Sequence, residues 1–219
     1  RRTASHEDPL LVLPSRPIMG VSDAAKSGDG SIEKSFSRLD NFNRIFIIMD
    51  DNVEKHCLPI LKQKLPSLNI SGTITIISGE ENKSIHQLIY IWNELTRLNI
   101  GRDDLIINLG GGVLTDIAGM AAATFKRGVQ FINYPTTLLG MVDAAIGGKT
   151  GIDFSRFKNQ VGLFINPLCV IIDPVFLKTL EKPKKIIELI NSNFPKVSVV
   201  GYGRSIEIFK QVGNPKDVV

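Results

Sequence analysis

Short apolar, β-rich runs recur along the chain, each ending in glycine or polar residues and each followed by a stretch with helical spacing. No other feature constrains the fold as strongly. The first run, Ile-Phe-Ile-Ile-Met over 45–49, stops at Asp50-Asp51-Asn52. Continuous apolar runs of this length suit strands buried on both faces. A helical pattern over 53–65 leads to a strand over 73–77. Ile85, Leu88, Ile89, Trp92 and Leu95 then mark a helix over 84–98. Strands are also expected over 104–109, 130–134 and 169–172, with a helix of small residues over 113–124. Such alternation predicts an α/β fold, a Rossmann-like and mostly parallel sheet with flanking helices and right-handed crossovers. Ligands of these sheets gather beyond the carboxyl ends of the strands. Polar or glycine-rich segments at 50–52, 79–83, 110–116 and 135–137 each follow such an end.

The alternating pattern occupies 44–180. Residues 1–43 show mixed charge without sustained periodicity, which reads as a leader and linker or an edge hairpin around 10–13. Residues 181–219 read as helix, strand over 197–201, and helix, an atypical α/β tail. The net charge of +4 comes without a basic stripe interleaved with aromatics, so nucleic acid is not expected as a partner. No apolar run is long enough to span a bilayer. Cys57 and Cys169 lack metal-type spacing and read as reduced thiols. The N-terminal residues lack the apolar stretch of a secretory signal, and Glu7, Asp8 and Asp23 do not suit a transit peptide. A cytoplasmic location is expected.

Chemistry concentrates in two places. Gly110-Gly111-Gly112-Val113-Leu114-Thr115-Asp116 joins a strand to a helix. Glycines there let backbone N–H groups approach an anion, and the helix N-terminus adds positive potential, as a dinucleotide pyrophosphate needs. The motif is not the G-x-G-x-x-G fingerprint, and alone it also reads as a tight turn. Arg127, at the end of the same helix, is a candidate phosphate contact or a cation beside the helix dipole. The densest stretch runs from Tyr134 through Pro135, Thr136, Thr137, Asp143, Gly147 and Gly148 to Lys149. A carboxylate in an otherwise apolar segment needs a partner, and a lysine after two glycines suits phosphate or an alkoxide. Lys158 and Asn159 add a second cation and an amide.

The run over 108–180 closely resembles the 3-dehydroquinate synthase family: GGGV-x-x-D, an R-G pair, P-T-T-L-L, V-D, G-G-K, K-N and P-x-x-V-x-x-D occur in order. With 50–52 and 79–83 added, the resemblance covers about 44–180 and marks that stretch as an NAD-binding domain. It implies that Asp50, Asn52, Glu80 and Lys83 line the adenosine and ribose side of NAD. Gly111, Gly112 and Val113 would lie against the pyrophosphate with Asp116 nearby, and Thr136 and Thr137 would hold the nicotinamide ribose. Lys158, Phe176 and Thr179 would complete the pocket. Lys149, Asp143, Asn159 and Arg127 would face the substrate, 3-deoxy-arabino-heptulosonate 7-phosphate. Asp153 stands where many members carry Asn, which reads as a subgroup difference.

The resemblance further implies cyclisation of that sugar phosphate to 3-dehydroquinate with phosphate release, NAD as cofactor, and a homodimer. It also implies zinc or cobalt, held by one Glu and two His of a helical C-terminal domain. That domain is expected to be absent or replaced here. Glu188 lies in surroundings that do not match, and His6, His56 and His86 all lie upstream without ligand spacing. A catalytically silent NAD-binding module is the alternative reading. A metal-dependent alcohol dehydrogenase of the glycerol type is a third, which the 135–149 stretch disfavours.

Overall fold

The computed structural model describes residues 11–14 and 42–180. The remainder of the expected leader and the expected tail over 181–219 lie outside the described residues. The chain divides into the units Arg1–Asp173 and Pro174–Val219.

In the first unit, strand β1 (Leu11–Pro14) is followed by β2 (Ile45–Asp50) and by two short helices, α1 (Asp51–His56) and α2 (Leu58–Lys64). A single helix was expected over this stretch. Pro59 in the first turn of α2 explains the break, since proline lacks an N–H and its ring clashes with the carbonyl four residues earlier. Strand β3 (Ile70–Ile76), helix α3 (Ile85–Arg97), strand β4 (Leu105–Gly110), helix α4 (Gly112–Thr124) and strand β5 (Gln130–Pro135) follow. Strands β6 (Lys149–Phe154) and β7 (Phe157–Phe164) make a separate hairpin, and β8 (Cys169–Ile172) returns to the main sheet.

The main sheet runs β1-β8-β5-β4-β2-β3. Its pairings are parallel except β1 with β8, so within the stretch read as a leader or an edge hairpin the described residues form one strand laid antiparallel on β8. Every residue of β4 is buried, as a central strand covered on both faces requires. Helix α3 starts where Ser84 Oγ accepts the Gln87 N–H, and it buries Leu88, Ile91 and Leu95 along one face. Helix α4 is apolar almost all round because it lies between two layers. Leu114 and Ile117 join the core above Phe46, Ile48 and Ile106. On its far side, a Cβ added at Gly119 would meet Thr150 Cγ2 of β6 at 2.8 Å. The small residues of α4 are therefore what lets the hairpin pack on it.

Candidate functional site

The chain passes from β2 outward to β3, then returns across β2 to β4 and continues the other way. The crevice beyond the carboxyl ends of β2 and β4 is thus a topological switch point, where sheets of this kind hold ligands. Asp50–Asn52 closes one side of it and Gly110–Gly112 the other. Asp50 Oδ1 accepts the Val53 N–H at 2.9 Å and caps α1. Burial raises the Asp50 carboxyl above its usual range, opposed by that Val53 N–H. Asn52 Nδ2 donates to Ser78 Oγ at 2.9 Å, and the Ser78 N–H donates to Asp51 Oδ1 at 3.1 Å, which ties the ends of β2 and β3 together. The hydrogen bond from Ser78 holds the Asp51 carboxyl below its usual range.

Lys83 is the hinge of the next layer. Its side chain is 3% exposed, and its ammonium donates to Asp116 Oδ2 at 2.6 Å and to Asn159 Oδ1. Burial pushes the Asp116 carboxyl up, while Lys83 and, less strongly, Lys149 pull it back. Glu80 pairs with Lys158 at 3.1 Å in an exposed bridge. Residues from the loop after β3, from α4 and from β7 therefore converge on one edge of the crevice.

On the other edge, Gly111 is the N-cap of α4 with no side-chain cap, which leaves the helix N-terminus facing the crevice without an internal acceptor at that position. A Cβ at Gly112 would stand 2.7 Å from Ala144 Cβ, so this turn and the π-helical turn Gly140–Ala144 are in contact. Thr136 is buried and its N–H donates to the Gly110 carbonyl at 3.0 Å. Thr137 Oγ1 accepts the Gly140 N–H at 3.2 Å and lies against Gly111. Beneath them Asn133 Nδ2 donates to the Ala145 carbonyl at 3.1 Å and Asn108 Nδ2 donates to Asn133 Oδ1 at 3.0 Å, anchoring the turn to the sheet. Lys149 Nζ sits 3.1 Å from Asp143 Oδ1, with both side chains open to solvent. Gly148, at φ +71, could not carry a side chain without striking Asn166.

Asp50, Asn52, Glu80, Lys83, Gly111, Gly112, Val113, Asp116, Thr136, Thr137, Asp143, Lys149, Lys158 and Asn159 thus share one rim. Arg127 does not join them. It precedes β5 at Gln130, whereas the rim begins at Pro135, roughly 16 Å away along the strand at its usual rise. It lines a shallow depression with Gly101, Arg102, Thr124 and Lys126 at the amino ends of β4 and β5. Phe176 and Thr179 belong to the unit Pro174–Val219, where Thr179 Oγ1 donates to the Phe176 carbonyl at 2.7 Å. Sequence reasoning passed over Ser78, Asn108 and Asn133. An Asn within the apolar run of β4 is the signal that could have drawn attention to Asn108.

Among the described residues no three His, Cys, Asp or Glu side chains are grouped as a metal ion would need. No helix among them is long and apolar enough to cross a membrane.

Comparison with known proteins agrees with this architecture. The chain is 45% identical over 141 residues to a 3-dehydroquinate synthase of Parabacteroides distasonis, covering 64% of this chain and 40% of that protein. It is 40% identical over 187 residues to one of Clostridium acetobutylicum, covering 85% and 51%. It therefore spans about half or less of the length of these curated relatives. A crystal structure of 2-deoxy-scyllo-inosose synthase complexed with carbaglucose-6-phosphate, NAD+ and Co2+ superposes with a TM-score of 0.62 at 25% identity, over 72% of this chain and 44% of that one. The family model described as 3-dehydroquinate synthase N-terminal matches residues 73–187, more than half of the chain. The chain belongs to the 3-dehydroquinate synthase family.

Proposed function

We propose that this chain is the dinucleotide-binding part of a 3-dehydroquinate synthase, an enzyme that cyclises 3-deoxy-arabino-heptulosonate 7-phosphate to 3-dehydroquinate with release of phosphate. The observation that carries this reading is the uncapped N-terminus of α4 at the switch point between β2 and β4, with Gly111 and Gly112 giving close backbone access. The rim fits NAD. Gly111, Gly112 and Val113 present backbone amides to the pyrophosphate. Asp50, Asn52, Glu80, Lys83, Asp116 and Lys158 line the adenosine and ribose side, and Thr136 and Thr137 the nicotinamide side. Support comes from the NAD+ and the sugar-phosphate analogue in the similar cyclase. When bound, the dinucleotide supplies reversible hydride transfer at a ring carbinol.

What this chain's own groups add is placement and charge. The exposed Lys149 ammonium offers a movable positive charge to the phosphorylated substrate, and Asp143 limits where it points. Asn159 presents an amide from β7 on the same rim. Arg127 stands on the opposite rim of its own chain, so it contributes no charge to this rim. The described residues do not fit the family's metal.

Titration calorimetry with NAD+, followed by a phosphate-release assay with the heptulosonate phosphate in the presence of zinc or cobalt, tests the reading. NAD+ uptake with phosphate release is the expected result for a chain that is active. NAD+ uptake alone supports the silent module, and absence of NAD+ uptake overturns both.

A further inference from the structure

We propose that Asp153 is the positioning residue that, through Asn159, sets Lys83 for the dinucleotide, an inference that rests on the NAD reading above. In the β6–β7 hairpin, Ile152 pairs with Val161 and Phe154 with Phe157. Asp153 therefore stands alone opposite Lys158, Asn159 and Gln160. Such a bulge withdraws backbone groups from the ladder and re-aims side chains. The Asp153 N–H leaves the hairpin and donates to the Lys83 carbonyl at 2.8 Å. The Asp153 carboxylate accepts the Asn159 N–H at 2.7 Å. Asn159 in turn accepts from the Lys83 ammonium, which also holds Asp116. These bonds close a ring through Asp153, Asn159 and Lys83.

The ring holds a backbone that would otherwise relax. Asn159 has φ +51, and the hairpin turns through Ser155 at φ +47 and Arg156 at φ +70 without a glycine. Left-handed conformations are uncommon for such residues and persist where surrounding contacts over-determine them. Without the carboxylate acceptor, Asn159 returns to negative φ and its amide swings off Lys83. In this reading Asp153 touches neither cofactor nor substrate and acts through those two side chains.

The test uses the full 219-residue chain. NAD+ affinity by calorimetry, thermal unfolding, and amide exchange at Asn159 are measured for the parent, Asp153→Ala and Asp153→Asn. Asp153→Ala should weaken NAD+ binding about tenfold and expose the Asn159 amide to exchange, since a hydrogen bond to a charged group is lost. Asp153→Asn keeps an acceptor oxygen and should remain within about twofold in affinity, with Asn159 still protected. Unchanged NAD+ affinity in Asp153→Ala overturns the inference, as does an Asp153→Asn variant as weak as the alanine. If Asp153→Ala does not fold, fast exchange of the Asn159 amide in the parent overturns it. A parent chain that takes no NAD+ removes the NAD reading itself, a failure visible before any variant is compared.

Discussion

Lys83 Nζ lies 2.6 Å from Asp116 Oδ2 with the two side chains 3% and 17% exposed, so an ion pair between the loop after β3 and α4 is largely closed off from water. Breaking a buried pair from one side leaves a charge without compensation. Asp116→Ala should therefore lower the unfolding free energy by about 3 kcal/mol in urea titration. Lys83→Met/Asp116→Leu, which removes both charges, should lose at least about 1 kcal/mol less than the sum of the two single changes. Additive losses would show that the pair is not coupled.

At Gly112 the space for a Cβ is already taken by Ala144, 2.7 Å away. Gly112→Ala should displace the turn Gly140–Ala144 and destabilise the chain by about 1–3 kcal/mol, the range for overpacking. NAD+ affinity should fall at least about tenfold, because the amides meant for the pyrophosphate move with it. Adding Ala144→Gly should restore most of both. Unaltered NAD+ affinity in the single variant, measured by calorimetry, would count against the turn as the pyrophosphate site.

The Lys149–Asp143 bridge is 53% and 63% exposed and holds the rim together very little. Lys149→Ala should leave the unfolding free energy within about 0.5 kcal/mol, as exposed bridges do. NAD+ affinity should change less than about twofold, while any phosphate release that the chain supports is abolished. A large loss of NAD+ affinity would move Lys149 from the substrate to the cofactor.

Burial pushes the Cys169 thiol up to about 11 from an ordinary 9.0. At pH 8 the native thiol should react with iodoacetamide roughly 100-fold more slowly than in the urea-unfolded chain, as its thiolate fraction falls with the two-unit rise. The sign for stability follows from the same shift. The unfolded chain ionises first, so this group favours folding below about pH 9.0 and ceases to as the pH climbs through about 11. Peptide mapping of the labelled protein measures the rate at Cys169 separately from Cys57, and equal native and unfolded rates would refute the burial argument.

Much of this molecule was written in local pattern. Strand β8 begins and ends where its apolar run does, β4 is shifted by one residue from the expected run, β5 runs one residue beyond it, and α3 lies within the expected 84–98. These features depend on residues adjacent in sequence, so periodicity and chain-terminating residues are enough to specify them. The common side of the segments that follow β2, β3, β4 and β5 was legible as well, since a parallel sheet places every strand's carboxyl end on one side.

The hairpin of β6 and β7 was not legible, because eight exposed residues in β7 have no alternation of buried and exposed positions to announce a strand. Nor could spacing reveal that Lys83, Asp116 and Asn159 form one knot, or that Arg127 faces away from it. Local sequence determined the strands, the helices and the glycine turn, through propensity and hydrophobic period. Only the folded chain decided which charges meet, because pairing across dozens of residues depends on sheet order, on a bulge opposite Asp153 and on the small residues that let β6 lie on α4.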